Sequence, residues 1–471
     1  MSAQNQLLSK STEEFIKFLK ENNIKRFYFV YDPEKKLVFS SHKQLNDITD
    51  FLNNDKIDFD EHEGLFFELD GDLDVIHSAA VHRTNRGQAA GGVRFWEYKT
   101  TKDFIKDGMR LAKGMTHKNA LAGLWWGGGK GVIAKSQNVD KNNLQTRKII
   151  YSNFGKFITS LNGCYVTAED VGTNVNDMAN VFASTRFTTC IPNTLGGSGN
   201  PSIPTAKGVI SGIEAALEFL NLGDLKNKTV AVQGLGNVAV PLIEFLFDKK
   251  VKKVIACDIF EENVKKAKNK FANHNLGTYK VNNDDTSILS QECDVFSPCA
   301  TGAILNKHTI PNIKAKIVCG AANNQLEDAI EDDKLIFNSK ILYVPDFLTN
   351  RMGIVNCANE QYGYIDDDPM ILKHYDKNSE DSIYNRAMNV FNESKNKHKP
   401  TGQVALELAD KLSKENHPIF GHRGEQIIKS SPDTSLRDIN KNPLVKRKFW
   451  ECDYKEIFQD IDTKIDLEEL K

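Results

Sequence analysis

Several features that mark special classes of protein are scarce in this sequence. Its 61 lysines and arginines nearly balance 63 aspartates and glutamates, which gives a formal charge of −2 at pH 7. A chain so close to neutral lacks the electrostatic footprint of a nucleic-acid-binding or membrane-surface protein, and we expect neither kind of partner. No apolar run approaches the roughly 18 residues that a membrane-spanning helix requires. The N-terminal residues also lack an apolar signal core, and the first arginine is Arg26, so we expect a cytoplasmic protein.

Cysteine is present, but in no pattern that indicates disulfide bonds or zinc. The eight cysteines include no CxxC pair, and several stand inside apolar, strand-like runs. This distribution favours reduced, buried thiols. Because the sequence also has no HExxH motif and no Cys/His ligand set, we predict no bound metal.

The hydrophobic patterns divide the 471 residues into three parts, which is consistent with two or three domains. Residues 1–204 mix strand and helix patterns, and residues 1–55 read as an extra N-terminal segment. Between residues 205 and 350, β-branched runs alternate with helical patterns, which is typical of a parallel sheet covered on both faces. Residues 351–471 contain helical patterns and then a charged tail, and we expect these helices to return to the first domain.

A glycine-rich turn follows the first strand of the 205–350 part. Gly234 permits a tight turn, Gly236 lets the backbone approach a pyrophosphate, and the small Ala239 lets the following helix pack on the strand. Asp258 ends the next strand, where a carboxylate accepts ribose hydroxyls and repels a 2′-phosphate, so NAD is favoured over NADP. The alternative is a plain strand-to-helix turn with a surface aspartate. The predicted cofactor-binding positions here are Gly234, Gly236, Asn237, Val238 and Asp258.

Two lysines in glycine-rich surroundings are candidate catalytic groups. Lys130 stands among glycines after Trp125 and Trp126, so a small molecule could approach an amine whose pKa is lowered by desolvation and a nearby cation. Lys118 could remain charged and hold a carboxylate. The alternative is a surface lysine in a glycine hairpin and a solvated helix lysine. Asp170, in the motif TAEDVGT, is an acid/base candidate that could equally be a turn or helix-cap residue.

Seven motifs occur in one order within residues 80–365, and together they resemble the glutamate/leucine/phenylalanine/valine dehydrogenase family, most closely its leucine, valine and phenylalanine branch. They are AAGGVRFWEY, GMTHKNALAGLWWGGGKGVI, YVTAEDVGTNVNDM, GSGNPSIPTAKGV, AVQGLGNVA, CGAANNQL and PDFLTN. The resemblance implies an α/β enzyme of two domains, a substrate and oligomerisation domain and a Rossmann-type, doubly wound NAD-binding domain, with a cleft between them. It also implies reversible oxidative deamination of an L-amino acid to a 2-oxo acid and ammonia, in a homo-oligomer.

The resemblance assigns roles residue by residue. Lys130 matches the catalytic lysine, Lys118 the lysine that binds the substrate α-carboxylate, and Asp170 the aspartate that handles the amine proton. The remaining matched positions line the substrate and nicotinamide region: Gly91, Gly92, Thr205 and Asn323.

Three positions bear on the substrate. The glutamate branch has a lysine where this chain has Ala90, so we predict an apolar substrate, branched-chain or aromatic, because an unpaired distal carboxylate in an apolar pocket is disfavoured. Arg351 and Met352 replace the small residues that are usual in the family, which could reshape the pocket or the hinge. The alternatives are a glutamate dehydrogenase-like activity and a non-catalytic NAD-binding relative.

Overall fold

The first structural unit is built on a seven-stranded sheet. The structure is a computed structural model, and it describes residues 6–361, 363, 365, 367–419 and 421. In chain order the elements of this unit are α1 (Thr12–Glu21), β1 (Arg26–Asp32), β2 (Leu37–Ser40), α2 (Asn46–Asn54), β3 (Gly64–Asp70), β4 (Val75–Arg83), β5 (Ala89–Trp96), α3 (Thr101–Leu121), β6 (Gly127–Lys135), α4 (Leu144–Ser160), β7 (Tyr165–Glu169) and α5 (Val175–Phe182).

The strand order of this mixed sheet is β2-β1-β3-β4-β6-β5-β7. Strands β6, β5 and β7 run parallel, whereas β2, β1, β3 and β4 are joined antiparallel to their neighbours. The N-terminal segment is part of this sheet, since β1 pairs with β3 and its apolar side chains share a core with α1 and α3. The carboxyl ends of the three parallel strands meet at one edge, where side chains from different strands can converge.

Glycines in β6 bring α3 and β5 unusually close to this strand. A Cβ on Gly128 would lie 2.2 Å from the backbone nitrogen of Thr116 in α3, and one on Gly91 would lie 2.0 Å from the carbonyl oxygen of Gly129. Any larger residue would therefore push the helix or the neighbouring strand away. All nine residues of β6 are buried as a result.

The second unit is a six-stranded sheet in which every neighbouring pair is parallel. Its order, β10-β9-β8-β11-β12-β13, is the 3-2-1-4-5-6 order of a dinucleotide-binding fold. This confirms the predicted doubly wound fold. The elements are α6 (Ser202–Phe219), β8 (Thr229–Gln233), α7 (Ala239–Asp248), β9 (Lys253–Asp258), α8 (Glu261–Lys270), β10 (Leu276–Lys280), β11 (Val295–Pro298), β12 (Ile317–Val318), α9 (Glu331–Asn338), β13 (Leu342–Tyr343) and α10 (Asp346–Thr349).

The C-terminal helices contact both units. They are α11 (Met352–Glu360), α12 (Pro369–Leu372), α13 (Ile383–Lys397) and α14 (Thr401–Ser413). α13 packs on α6, and α14 packs on α3. Arg83, at the end of β4, also contacts α14: its Nη1 donates to Asp410 Oδ1 at 2.6 Å. The charged tail after residue 430 lies outside the described residues. The domain boundaries at 204 and 350 stay a prediction.

In the part of the chain that the structure describes, no helix is long and apolar enough to cross a membrane. The seven cysteines of that part carry free thiols, and the sulfur atoms of Cys190 and Cys357 lie 3.0 Å apart. Cys452 lies outside it.

Candidate active site

Lys130 and Asp170 form an ion pair beside the carboxyl end of β7, where β5 and β6 continue. Lys130 is 4% exposed, and its Nζ donates to Asp170 Oδ2 at 2.5 Å. The surface-hairpin alternative for Lys130 is wrong, because β6 is an interior strand between β4 and β5. Asp170 is not a helix cap either: the cap of α5 is Asn174, whose side chain accepts from the backbone of the first turn. The desolvation of Lys130 comes from its place in the sheet, since Trp125 instead stacks on Arg86.

A second cation faces the same carboxylate. Arg94 Nε lies 3.6 Å from Asp170 Oδ2, on the strand next to Lys130. Burial alone would raise the pKa of Asp170, but the charges of Lys130 and Arg94 outweigh burial and hold that pKa below its usual value. The neighbouring Glu169 has no such partner charge, and burial together with Asp177 and Asp170 raises its pKa to about 7. The pKa values of the two adjacent carboxylates are therefore shifted in opposite directions because their surroundings differ.

Lys118 joins the first unit to the second. It lies in the last turn of α3, and its Nζ donates to Asn323 Oδ1 at 3.0 Å. Asn350 Nδ2 donates to the same oxygen at 2.9 Å. Burial, assisted by the charge of Lys130, lowers the pKa of Lys118, while Asp346 and Asp170 act in the opposite direction. Sequence reasoning identified Lys118 and Asn323 but not the direct contact between them.

The glycine pair before Arg94 is required by the packing around Asp170. A Cβ on Gly92 would lie 2.7 Å from the Asp170 Cβ and 2.5 Å from the Glu169 carbonyl oxygen. The carbonyl oxygen of Gly91 accepts from Tyr165 Oη at 2.5 Å. A side chain at position 92 would displace the carboxylate, so these glycines shape the site whether or not they also touch a substrate.

The glycine turn after β8 has the form that a pyrophosphate needs. Gly234 has φ +94°, a left-handed conformation that favours glycine, and its Cβ would lie 2.9 Å from Ala300. A Cβ on Gly236 would meet nothing within 4 Å, so space is open above the turn. Among the described residues, no side chain caps the N-terminus of α7, so an anion bound beside the turn would meet the positive end of this helix. Asn237 is exposed and Val238 half-buried at the same place.

Asp258 lies at the end of β9, as the motif requires, and it also organises the turn. Its Oδ2 accepts from the backbone nitrogen of Leu235 at 2.7 Å, and its Oδ1 accepts from that of Phe260 at 2.8 Å. Sequence reasoning assigned Asp258 to a ribose and missed this bond to the loop. Oδ2 also accepts from Asn263 Nδ2 at 3.3 Å, so Oδ1 is the oxygen that keeps the capacity for a further hydrogen bond.

A chain of contacts connects the glycine turn with Lys118. Ala300 lies against Gly234, and a Cβ on Gly302 would lie 2.8 Å from the carbonyl oxygen of Asn323. Asn323 in turn accepts from Lys118. The segment with Ala300 and Gly302 therefore lies between the glycine turn and the residue that contacts Lys118. Thr205 lies in the first turn of α6, with its hydroxyl donating to the carbonyl oxygen of Pro201 at 2.8 Å.

The two departures from the family pattern are both fully buried. Arg351 is 0% exposed; Nη1 donates to the carbonyl oxygen of Leu121 at 2.8 Å and Nη2 to that of Asp381. Nη2 also lies 3.3 Å from His374 Nδ1. Burial and the charge of Arg386 lower the pKa of Arg351. Arg351 therefore ties the end of the Lys118 helix to the segment before α13, and Met352 fills the core beside it.

Comparison with known proteins agrees with this geometry. The family model described as Glu/Leu/Phe/Val dehydrogenase, dimerisation domain, matches residues 67–187, and the model described as Glutamate/Leucine/Phenylalanine/Valine dehydrogenase matches residues 196–410. A leucine dehydrogenase of Geobacillus stearothermophilus is 40% identical over 373 residues, which are 78% of this chain and 96% of the relative. A phenylalanine dehydrogenase of Lysinibacillus sphaericus is 36% identical over 334 residues, 71% of this chain and 84% of the relative.

A solved structure shows the same fold. The crystal structure of L-tryptophan dehydrogenase from Nostoc punctiforme superposes with a TM-score of 0.62 at 32% identity, covering 75% of this chain and 96% of that one. The predicted family, fold class and enzyme class are confirmed. This chain belongs to the glutamate/leucine/phenylalanine/valine dehydrogenase family, which consists of NAD(P)-dependent amino-acid dehydrogenases.

Proposed function

We propose that this protein catalyses the NAD-dependent, reversible oxidative deamination of an apolar L-amino acid to its 2-oxo acid and ammonia. The observation that carries the proposal is the Lys130–Asp170 ion pair, placed beside a third charged group, Lys118, that contacts the cofactor-side loop. An amino acid carries two charges that match two of these groups: its carboxylate can pair with Lys118 and its ammonium with Asp170.

The roles follow from the charges. The substrate ammonium gives a proton to Asp170, since only a neutral amine allows hydride to leave Cα. NAD, when bound at the glycine turn, would supply the hydride acceptor, and loss of hydride from Cα would leave the substrate as an iminium. Lys130 first releases the proton of its ion pair to solvent. Water then adds to Cα of the iminium while the neutral Lys130 removes the water proton. Asp170 returns its proton to the amino nitrogen, the carbinolamine breaks down to the 2-oxo acid and an ammonium ion, and Lys130 releases its proton again. The 2.5 Å contact between Lys130 and Asp170 lets a proton pass between the two groups. Lys118 neutralises the substrate carboxylate and takes no part in bond making.

An apolar substrate side chain is supported by the surroundings of Ala90. Ala90 belongs to one apolar cluster with Ala168, two residues before Asp170, and with Ile354 and Cys357 of α11. A carboxylate at the end of a substrate side chain would lose its hydration here without gaining a cation. The relatives compared above are named for leucine, phenylalanine and tryptophan, all apolar amino acids.

NAD is proposed over NADP because of Asp258. The open space above Gly236 and the uncapped start of α7 fit a pyrophosphate, and Asp258 at the end of β9 fits ribose hydroxyls but repels a 2′-phosphate. Gly234, Asn237, Val238, Thr205 and Asn323 complete the proposed contacts. We further propose a cytoplasmic homo-oligomer; the free thiols and the family model named for dimerisation support this.

The proposal is tested by measuring NADH formation from leucine, valine, isoleucine, phenylalanine, tryptophan and glutamate, with NAD and NADP side by side. We expect turnover of an apolar amino acid with NAD. Preference for glutamate would favour the glutamate dehydrogenase-like alternative, and NAD binding without any turnover would favour the non-catalytic one.

Lys130→Met sharpens the same assay. We expect kcat to fall about 100- to 10,000-fold, because general acid–base groups contribute rate factors of that size. Lys135→Met is the matched control on the same strand, since Lys135 pairs with Glu97 away from the site, and it should keep the activity of the unmodified enzyme. Equal activity of the two variants would refute the role of Lys130.

A further inference from the structure

Arg94 lies between two carboxylates that belong to different elements. Its Nη1 donates to both oxygens of Asp107, at 3.0 and 2.8 Å, and its Nε lies 3.6 Å from Asp170 Oδ2. Because Asp107 is part of α3 and Asp170 follows β7, this one side chain on β5 connects the helix of Lys118 with the proposed proton acceptor.

The Asp107 end of this connection is held by a further hydrogen bond. Tyr98 Oη donates to Asp107 Oδ2 at 2.5 Å, so Asp107 is held by a phenol as well as by the guanidinium. These residues border a surface cavity of about 510 Å³, which brings solvent to the Asp107 side of Arg94. The Nε side is different: the atom is buried, and it makes no hydrogen bond among the described residues. Its N–H group therefore remains available to the carboxylate of Asp170.

We propose that Arg94 is a positioning residue that keeps Asp170 ionised and directs its Oδ2 into the active site while Lys130 exchanges protons. The inference rests on the proposed function, in which Asp170 accepts the substrate proton. During that reaction Lys130 cannot remain a constant partner, because it must itself give up and regain a proton. An arginine stays charged throughout, so it provides the buried carboxylate with a partner that does not change.

The other charges that face Asp170 cannot replace Arg94. They are Lys130 on β6, Lys118 on α3 and Glu169 on the strand that precedes Asp170. In the proposed mechanism, Lys118 binds the substrate carboxylate. Glu169 is itself a carboxylic acid, so its charge disfavours the ionised form of Asp170 instead of stabilising it.

The test is the pH dependence of kcat/KM in the amino-acid dehydrogenase assay. Arg94→Met should move the acid limb to higher pH by about 1 unit or more, because the two groups that must be deprotonated, Asp170 and Lys130, lose a neighbouring cation that is always charged. It should also lower kcat at least about tenfold through misplacement of the base, while KM for the amino acid changes little because Lys118 is intact. Arg94→Lys keeps the charge, so its acid limb should return towards that of the unmodified enzyme.

Asp107→Asn provides a second, milder variant. The guanidinium keeps its charge but loses its ionic anchor, so we expect a smaller shift in the same direction. Asp103→Asn is the matched control: Asp103 borders the same cavity on the same helix, but its side chain accepts from Thr100, and its pH profile should coincide with that of the unmodified enzyme.

An acid limb of Arg94→Met that coincides with that of the unmodified enzyme would overturn the inference. If Arg94→Met does not fold, an unshifted profile of Asp107→Asn has the same meaning. Asp170→Asn separates this result from the proposed function. If the unmodified enzyme turns over no amino acid, the proposed function itself fails. If the unmodified enzyme is active and Asp170→Asn inactive while Arg94→Met keeps an unshifted profile, only the positioning role fails. If Asp170→Asn remains active, Asp170 is not the proton acceptor, and the positioning role fails with it.

Discussion

Arg94 is half-buried and Arg351 is fully buried, and the two arginines are accommodated in opposite ways. Arg94 is held by the carboxylates of Asp107 and Asp170. Burial disfavours its charge, yet these carboxylates outweigh burial and raise its pKa. Arg351 is entirely buried and donates to carbonyl oxygens, and its pKa is lowered.

The difference teaches what each arginine can do. A charge paired with carboxylates influences their protonation, which is useful beside a reacting amine. A charge paired with carbonyl oxygens influences mainly the position of the backbone that carries them. Arg94 is therefore suited to tuning chemistry, whereas Arg351 is suited to fixing the junction of α3, α11 and the segment before α13.

The largest expected effect that would sharpen this contrast is the loss of protein stability when Arg351 is replaced. Arg351→Met should lower the free energy of unfolding by about 2–4 kcal/mol, because it leaves the carbonyl oxygens of Leu121 and Asp381 buried without these donors. Urea unfolding followed by circular dichroism measures the change. Lys395→Met, at an exposed position of α13, is the control and should stay within about 0.5 kcal/mol of the unmodified protein. A shifted acid limb of kcat/KM in Arg351→Met would break the comparison.

The next effect concerns His374, the imidazole next to Arg351. Burial and the charge of Arg351 lower the pKa of His374 to about 3, so the folded protein keeps a neutral ring where the unfolded chain takes up a proton below about pH 6.5. The stability that this ring contributes is complete above pH 6.5 and declines as the pH falls towards 3. When the pH falls from 6.5 to 5, the free energy of unfolding of His374→Gln should therefore decrease by about 2 kcal/mol less than that of the unmodified protein. Urea titrations at the two pH values measure this difference. Equal decreases for His374→Gln and the unmodified protein would contradict the prediction.

The smallest effect is expected from the side chain of Asp381. Its carboxylate pairs with Lys373 at 3.3 Å and with Arg386 at 3.1 Å, and the side chain is 34% exposed. Partly exposed ion pairs contribute little, so Asp381→Asn should change the free energy of unfolding by less than about 1 kcal/mol. Arg351 uses the main-chain carbonyl of this residue, which the substitution keeps. A loss as large as that of Arg351→Met would show that the carboxylate, too, holds the buried arginine.

The sequence predicted those parts of the fold that depend on neighbouring residues. The turn from Gly234 to Ala239 could be recognised because the conformational demands on a phosphate-binding turn fall on adjacent positions. The parallel sheet could be predicted from its buried, β-branched strands, although β10, with the short and half-buried sequence LGTYK, was missed. Lys130, Asp170 and Lys118 were identified with their roles, and the structure brings them into one region, but those roles stay predictions.

Contacts between distant residues could not be predicted in the same way. Arg94 lies inside a recognised motif, yet nothing local indicates that its partners are on α3 and after β7. Arg351 was noticed as a departure from the family, but its complete burial was not predicted, because arginine is rarely buried without a carboxylate partner. Its acceptors, the carbonyl oxygens of residues 121 and 381, are backbone atoms, which no residue type in the sequence reveals.

The close contact of α3 with β6 has a consequence for engineering this enzyme. One helix carries Lys118 near its end and Asp107 three turns earlier, and Gly128 leaves no space beneath its C-terminal part at Thr116. Any redesign that tilts this helix would displace both Lys118, which is proposed to bind the substrate carboxylate, and Asp107, which anchors Arg94 beside Asp170. Variants with altered substrate range are therefore better sought at Ile354 and Cys357, which belong to α11 and share an apolar cluster with Ala90.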